Sequence, residues 1–580
     1  MTANINEALR RDSPHDPRTA SKRFPDEMIA ARFPAKPLLT SALIALLLAA
    51  PALAQETLTI DGQDVTRVVI APPRTDLARA IKAGLSTAYY GASGTLANEQ
   101  AQKLYYFYGE RAFEPLWLQQ DAGGKLSFAP VADKIVALFR NAQYEGLRPS
   151  DYLTEALDVD AAQGDPARMA ALETAFSGAV MLYAQNLYGG RIDPRKVSEN
   201  IDIKPRLLNR PDLLQQLAAS SDPAKILGEL DPKHREFLAL KAALAKFYDG
   251  GAEQEAVKIP DGQTLRLGMV DERVPLLRQR LEVPAAADGN PAIYDKALAA
   301  AVTSFQDSLG LLADGIAGPA TIAALNGGTA TSKQDIVANM ERWRWMPEDL
   351  GRFNVFVNIP EFRLAVMQDG EVAYTTRVVV GKANTQTPIF SDNIRHIVVN
   401  PYWNVPPSIA SNEIRPALMR NPGYLDGQNM ELLYGGKVVN AAAVDWSTTS
   451  MSNFRVRQRP GAGNALGNVK FLFPNAHDVY LHDTPSKSLF GRSFRAYSHG
   501  CVRVQNPMEF ADALLAHEPS HLDSAKLESL YGPTERWVNM ETHVPVHLAY
   551  FTLRVDQDGT IRSYGDVYGH NKKLIELLGG

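Results

Sequence analysis

The chain has 580 residues, 45% of them hydrophobic, and a formal net charge of −5. This length is too great for one hydrophobic core, so about two to four domains are expected. The charge provides no basic surface, which argues against nucleic acid as a partner. A single cysteine excludes an internal disulfide and a zinc site built from several thiolates.

The first predicted segment is a signal peptide in residues 1–54. Its apolar run, LLTSALIALLLAA at 38–50, is shorter than the roughly 20 residues that span a bilayer. Arg32 and Lys36 precede this run and an A-x-A pattern follows it at 52–54, which is the order of a secretory signal. We therefore expect export to the periplasm. The alternative is an uncleaved segment anchored in the inner membrane, which would be the chain's one contact with a membrane.

Residues 75–250 carry apolar side chains at the spacing of packed helices, as at Ile135, Leu138 and Phe139. Loop signals that contain glycine and proline separate the helical stretches. We predict a helical scaffold domain in which the aromatic side chains pack in the core rather than around a ligand.

A polar linker leads to a small unit at 263–328, for which we predict three helices. Val274, Leu277 and Leu281 repeat at helical spacing, and a second set follows at 298–305. This unit is too small to be more than a compact helical module.

After residue 350 the hydrophobic period changes from 3.6 to 2, which predicts a mostly β domain over 350–575. The pair Asp369 and Gly370 predicts a hairpin turn between two of its strands. Residues 405–465 lack a strand pattern and are rich in loops and short helical stretches, so we interpret them as an inserted cap with a functional purpose. The predicted fold class is multidomain α+β.

The sequence HEPSH at 517–521 matches the H-E-x-x-H pattern of zinc peptidases. Pro519 would lie inside the helix that must present both histidines, where proline costs about 3 kcal/mol. We therefore assign no metal and no cofactor to the chain. We interpret this segment as the end of a helix that begins at Pro507.

The candidate catalytic residues are Cys501, the directly preceding Ser498, His499 and Gly500, and the upstream His482. A thiol needs a base to act as a nucleophile near neutral pH, because its reference pKa is about 8.5. Gly500 permits close backbone approach, and its amide with that of Cys501 is suited to a developing oxyanion. The alternative on residue types is an inert buried cysteine beside a structural histidine. A single thiol in an exported protein favours the catalytic interpretation.

The order of these residues resembles a family signature. His482 followed by SHGCVR at 498–503 is similar to the L,D-transpeptidases of the YkuD/ErfK type, which cross-link bacterial peptidoglycan. Arg503 departs from the asparagine that many members carry. Three further phrases are similar to the multidomain YcbB-related branch: FYGERAFEPLWL (107–118), NMERWRWMP (339–347) and NPYWNVPPSIA (400–410). A fourth, AVTSFQDSLGLLADGIAGPATIAALN (301–326), resembles the PG_binding_1 domain.

The resemblance implies a cysteine acyltransferase. Cys501 would attack the carbonyl between the third and fourth residues of a tetrapeptide stem after His482 takes its proton. The main-chain carbonyl of Asp483 would orient the imidazole, and a side-chain amine of a second stem would resolve the thioester as a 3-3 cross-link. The resemblance also implies a cap at 405–465 that moves over the site, and a module at 263–328 that docks on peptidoglycan.

The neighbouring residues leave alternatives open. We assign Arg503 and Asp483 to substrate binding, and Arg503 either clamps a carboxylate or pairs with an internal acid. Ser498 and His499 either support the reacting groups or shape the turn. The expected partners are peptidoglycan stem peptides and other cell-wall synthases. Three alternative functions remain: an L,D-carboxypeptidase, an enzyme that anchors lipoproteins to peptidoglycan, and a wall-binding scaffold without catalysis.

Overall fold

A computed structural model describes residues 56–60, 63–67, 70–91, 95–209, 212–250, 257, 259–284, 289–308, 311–327 and 332–579. The predicted signal peptide at 1–54 lies outside these residues. Within them, no helix combines the length and the apolar character needed to cross a membrane.

The first large unit is the predicted helical scaffold. Its central helix begins at Pro166, where Asp165 caps the helix by accepting hydrogen bonds from the amides of Ala167 and Arg168. Two short antiparallel hairpins accompany the helices. The elements are β1 (Glu56–Ile60), β2 (Gln63–Arg67), α1 (Asp76–Gly91), α2 (Thr95–Glu110), β3 (Leu118–Gln120), β4 (Leu126–Phe128), α3 (Pro130–Arg140), α4 (Pro166–Gly189), α5 (Pro194–Val197), α6 (Leu213–Ala218), α7 (Pro223–Gly228) and α8 (Arg235–Tyr248).

The small module that follows contains the three predicted helices, α9 (Val274–Arg280), α10 (Lys296–Ser308) and α11 (Pro319–Gly327). Its core includes Val274 and Leu277 from α9 and Leu298 and Val302 from α10, all fully buried. The helical spacing of these residues in the sequence is therefore the spacing of one buried face on each helix.

Helix α12 (Lys333–Trp345) joins the scaffold to the mostly β domain, which is the predicted catalytic domain. On the scaffold side, the buried carboxylate of Glu341 accepts a hydrogen bond from the amide of Ile192 (2.7 Å). The fully buried guanidinium of Arg344 donates to the carbonyl of Glu145 (2.7 Å). These charged groups lie in the interface between the two domains.

The opposite side of α12 packs on the catalytic domain. The side chain of Asn339 donates to Thr552 Oγ1 (2.9 Å) and accepts from the Thr552 amide (3.0 Å). The ring centroids of Trp343 and Phe551 lie 4.4 Å apart. One helix therefore fixes the scaffold and the catalytic domain to each other.

The catalytic domain is mostly β, as predicted. Its strands are β5 (Phe353–Asn358), β6 (Arg363–Gln368), β7 (Glu371–Gly381), β8 (Phe390–Val399), β9 (Trp403–Asn404), β10 (Met430–Tyr434), β11 (Lys437–Val439), β12 (Arg455–Gln458), β13 (Val469–Leu472), β14 (Leu481–His482), β15 (Ala496–Ser498), β16 (Val502–Val504), β17 (Arg536–Ala549), β18 (Leu553–Val555) and β19 (Ile561–Ser563). Nine of them form one sheet in the order β15-β7-β16-β14-β13-β8-β17-β5-β6. Since β7 also pairs with β6, the sheet closes on itself around the main core.

Residues between β9 and β12 form a cap with its own small core. Its sheet has the order β11-β10-β12-β9. Val405, Leu418, Leu432, Trp446 and Val456 are among the residues buried inside it. The absence of strands predicted for this segment is wrong, because its strands have only two to five residues, too few to display an alternating pattern. The helices of this domain are α13 (Pro407–Ile409), α14 (Arg415–Arg420), α15 (Tyr424–Gly427), α16 (Pro507–Leu514), α17 (Ser524–Glu528) and α18 (His570–Leu578).

The segment at 517–521 lies beyond α16, so its interpretation as the end of that helix is wrong. The helix stops at Leu514, and His521 has a positive φ of 53° that no α-helix contains. His517 Nε2 lies 2.7 Å from the side-chain oxygen of Gln368. Across the part of the chain that the structure describes, no group of three or more His, Cys, Asp or Glu side chains could hold a metal ion.

Candidate active site

Two neighbouring parallel strands, β14 and β16, bring the predicted reacting residues together. Their register sets His482 opposite Arg503, and the amide of Val502 donates to the carbonyl of Tyr480 (3.1 Å). Cys501 directly precedes β16 and therefore lies beside Tyr480. Because side chains alternate along a strand and paired residues share a face, His482, Cys501 and Arg503 lie on the face opposite Val502, which is buried in the main core.

His482 and Cys501 are diagonal neighbours on adjacent strands. Diagonal positions in a sheet lie roughly 7–8 Å apart, within reach of long side chains or of a substrate group placed between them. The structure therefore sets the predicted base and the predicted nucleophile on one surface. Their catalytic roles stay predictions.

The imidazole of His482 is almost fully buried and its Nδ1 lies against the main-chain carbonyl of Asp483. A carbonyl only accepts, so Nδ1 carries the proton and Nε2 is free to act as the base. Burial, followed by the positive charge of Arg503, lowers the pKa of His482 to about 3. The imidazole is therefore neutral near pH 7.

The thiol of Cys501 points towards the carbonyl of Asp478, 3.8 Å from Sγ. The residue as a whole is half-buried. Burial raises the pKa of the thiol to about 11, although contacts with Tyr480 and the charge of Arg503 oppose this rise. The resting site therefore holds a protonated thiol and a neutral imidazole, so the proton must move during the attack rather than before it.

A tight turn presents the cysteine. The hydroxyl of Ser498 donates to the carbonyl of Cys501 (2.5 Å) and accepts from the amide of Gly500 (3.1 Å). Ser498 therefore shapes the turn and does not face the thiol. The amide of Gly500 donates to that hydroxyl here. The oxyanion roles of the amides of Gly500 and Cys501 stay predictions.

Residues from distant parts of the chain brace this turn. Gly500 has a φ of +119°, a conformation that strains any residue with a side chain. Thr387 Oγ1 donates to the carbonyl of Gly500 (2.7 Å) and accepts from the amide of Gly381 (2.9 Å). The hydroxyl of Tyr568 donates to the carbonyl of Gly381 (2.7 Å). Sequence analysis missed Thr387 and Tyr568, because no pattern connects residues so far apart along the chain.

His499 faces the cap rather than the thiol. Its Nε2 lies 2.9 Å from a carboxylate oxygen of Glu413, a residue of the cap. This contact connects the cap to the residue two positions before Cys501. Sequence analysis missed Glu413, which lies in a segment where no motif singled it out.

The two residues assigned to substrate binding differ in their surroundings. The carboxylate of Asp483 pairs with Lys487 (2.6 Å) and accepts a hydrogen bond from the amide of Asn468 (3.0 Å), so it connects neighbouring loops. Its predicted part in substrate binding stays a prediction. Arg503 forms no ion pair with an acid among the described residues, which removes the internal-acid alternative there. A substrate carboxylate is the remaining interpretation of Arg503.

The pH dependence of the reaction tests this electrostatic account. We expect the rate at which a carbapenem acylates Cys501 to stay level between pH 7 and pH 5, because the pKa of His482 lies at about 3 and the base stays neutral throughout. An imidazole with the ordinary pKa of about 6.5 would lose most of its neutral form over the same interval. Time-resolved mass spectrometry of the adduct measures the rate, and a tenfold fall by pH 5 would contradict the account.

Known domain families match three parts of the chain. They are the scaffold domain at 102–244, the putative peptidoglycan binding domain at 271–325 and the L,D-transpeptidase catalytic domain at 352–532. The last match contains His482, Cys501 and Arg503, whereas Tyr568 lies beyond its end. The matched residues 352–532 also include the cap.

Individual proteins show the same likeness. A putative L,D-transpeptidase of Haemophilus influenzae is 34% identical over 243 residues, which are 42% of this chain and 49% of that protein. The match thus spans about half the length of that relative. A solved L,D-transpeptidase of Stackebrandtia nassauensis is 16% identical, with 51% of this chain and 97% of that chain covered and a TM-score of 0.21. One of Xylanimonas cellulosilytica is 17% identical, with 50% and 99% covered and a TM-score of 0.17.

Those TM-scores are too low to support any structural argument, and the assignment rests on the matched domains and the relative's sequence. The resemblance stated from the sequence is confirmed at that level. Residues 352–532 are thus similar to the L,D-transpeptidase catalytic domain of the YkuD family, and residues 271–325 to a putative peptidoglycan binding domain.

Proposed function

We propose that the protein is an L,D-transpeptidase that forms 3-3 cross-links in peptidoglycan through a thioester on Cys501. The observation that carries the proposal is the position of Cys501 and His482 on one face of adjacent strands, inside the matched catalytic domain. Export to the periplasm and contact with other cell-wall synthases belong to the same proposal.

The first half of the reaction forms the acyl-enzyme. Sγ of Cys501 attacks the carbonyl that joins the third and fourth residues of the donor stem, while His482 Nε2 takes the thiol proton. The amide of Cys501 stabilises the resulting oxyanion. The carbon–nitrogen bond then breaks, the imidazole returns its proton to the departing amine, and the fourth residue leaves as a free amino acid.

The second half transfers the acyl group. The side-chain amine of an acceptor stem attacks the thioester carbon and gives its proton to His482. The carbon–sulfur bond breaks, and the sulfur recovers a proton from the imidazole. The acceptor is then joined to the third residue of the donor, and the enzyme returns to its resting protonation state.

The binding module supports peptidoglycan as the partner. In the structure, the amide of Leu312 in this module donates to Ser493 Oγ (3.1 Å), on the loop that leads into β15 and the cysteine turn. A strand of cell wall held by the module would therefore lie on the same side of the domain as the catalytic turn.

The test is incubation of the purified protein with peptidoglycan rich in tetrapeptide stems, followed by mass spectrometry of the muropeptides. We expect 3-3 dimers and one released D-alanine for each dimer, and neither with Cys501→Ala. Tripeptides without dimers would favour the carboxypeptidase instead. Unchanged muropeptides and no carbapenem adduct would favour the non-catalytic scaffold. A melting temperature close to that of the native protein would show that Cys501→Ala is folded.

A further inference from the structure

A row of three charged or polar side chains crosses the catalytic face. Lys470 on β13 is paired with His482 on β14, which is paired in turn with Arg503 on β16. Neighbouring strands lie about 4.8 Å apart, and directly paired residues share a face. The predicted base therefore has one cation on each side. Sequence analysis singled out two members of this row and missed Lys470.

The ammonium of Lys470 is enclosed by aromatic rings. It lies 5.6 Å from the ring centroid of Tyr480 and 5.7 Å from that of Trp537, and the residue is only 7% exposed. The nearby carboxylate of Glu535 accepts hydrogen bonds from the amide of Tyr402 (2.7 Å) and the indole of Trp537 (3.0 Å) instead of pairing with Lys470. Among the described residues, no carboxylate forms an ion pair with this lysine.

Arg503, like Lys470, forms no ion pair with a carboxylate among the described residues. Its Nε is buried and has no hydrogen-bond partner among the described residues. A buried donor without a partner, or a buried cation without an anion, costs free energy that folding alone does not recover. Lys470 is thus a buried positive charge and Arg503 a partly buried one; both flank the site, and neither forms an ion pair with an acid among the described residues.

We propose that Lys470 and Arg503 form a carboxylate-binding subsite that recognises the free C-terminal carboxylate of the acyl donor, on the residue that is released when Cys501 is acylated. This inference rests on the proposed function for the identity of the donor. The presence of an anion subsite beside the thiol does not depend on it.

The dimensions of the donor fit this subsite. The released residue begins at the nitrogen of the cleaved bond, and its carboxylate is one residue further, about 3.3–3.6 Å along an extended chain. His482 lies diagonally across from Cys501, so a donor whose carbonyl rests at Sγ and whose released residue points along β16 brings that carboxylate towards the row. Arg503 offers a planar fork for a bidentate contact, and Lys470 adds a compact charge from the other side.

Activation of the thiol is a weaker explanation of the two cations. A positive charge stabilises a thiolate, yet the pKa of Cys501 remains raised to about 11 despite Arg503. The same charges also favour neutral His482, whose pKa both cations lower. The two cations suit a site whose thiol and imidazole are uncharged at rest, and their positive charge is balanced when a negatively charged carboxylate binds.

The single cysteine permits a test that needs no peptidoglycan. The rates at which anionic iodoacetate and neutral iodoacetamide alkylate Cys501 are measured by mass spectrometry, and their ratio reports the positive potential at the thiol. Any change in thiolate fraction affects both reagents equally and cancels. We expect Lys470→Met to lower the ratio of the iodoacetate rate to the iodoacetamide rate about tenfold. The attraction between one lysine charge near the thiol and an anionic reagent, in a partly buried site, accounts for a change of that size.

Two matched variants accompany this measurement. Lys470→Arg keeps the charge and is expected to retain most of the ratio. Lys526→Met removes an exposed lysine of α17 and is expected to leave the ratio unchanged. An equal ratio in the native protein and in Lys470→Met overturns the inference, whether or not the protein proves to be a transpeptidase.

Turnover then identifies the ligand as the donor carboxylate. The native protein is expected to use a tetrapeptide stem with a free C-terminus at least tenfold more efficiently, in kcat/KM, than the same stem with a C-terminal amide. Lys470→Met and Arg503→Gln are expected to reduce this preference. Equal losses on both stems would overturn the assignment to the donor carboxylate. Absence of turnover with an intact alkylation ratio would count against the proposed function alone.

Discussion

Replacement of His482 by glutamine will lower the rate of carbapenem acylation of Cys501 by about 10²–10⁴-fold, the usual contribution of a general base. The reason lies in the resting state, where burial raises the pKa of the thiol to about 11 and leaves almost no thiolate at pH 7. Attack therefore depends on a group that accepts the proton during the reaction. Mass spectrometry of the adduct against time gives the rate for each variant.

A second histidine supplies the control. His517 lies in the loop beyond α16, where its ring contacts Gln368, and His517→Gln is expected to acylate at the native rate. Melting temperatures within a few degrees of the native protein would show that both variants are folded. If His482→Gln reacted as fast as the native protein, another group would have to take the proton, and the assignment of the base would fail.

Replacement of Glu341 by alanine will destabilise the junction between scaffold and catalytic domain by about 3–5 kcal/mol, because it breaks a buried ion pair and leaves Arg344 with only Asp231, 3.9 Å away. Glu341 Oε2 lies 3.8 Å from Arg344 Nη1, and neither side chain is exposed to more than 1%. The loss also removes the acceptor for the amide of Ile192. Differential scanning calorimetry will show this loss of stability as a lower melting temperature for the transition in which this junction unfolds.

The matched control is Glu348→Ala, a few residues further along the chain. Glu348 pairs with Arg206 at 3.1 Å, but its side chain is 70% exposed. An exposed pair of this kind contributes about 0–1 kcal/mol, so we expect little change in melting temperature. Equal shifts for the two variants would contradict the claim that burial decides the cost.

Long periodic segments explain which parts of the fold were predictable. Apolar side chains that recur every 3.6 residues predicted the helices of the scaffold and of the three-helix module. The change to a period of two residues predicted the mostly β domain. The sheet of the cap was missed because its longest strand, β10, has five residues. Closure of the main sheet was equally hidden, since pairing of β6 with β7 and of β7 with β16 depends on register rather than composition.

The candidate site was predictable where one short motif contains the chemistry. Cys501 and His482 belong to such a motif. Thr387, Glu413 and Lys470 come from three other parts of the chain, and only folding brings them to the cysteine turn. One feature of the sequence does indicate the position of Lys470. It is a cation between Val469 and Phe471, which are buried, so it lies on the face of the strand opposite the core.

The pairing at the base of the cap has a consequence for how this part of the chain can be engineered. Asn404 enters the cap directly opposite Arg457, which leaves it, and the two residues are in antiparallel register. A two-residue β-turn closes such ends. A plain hairpin turn is therefore expected to be able to take the place of the cap, because the two ends of the cap already lie at the spacing of paired strands.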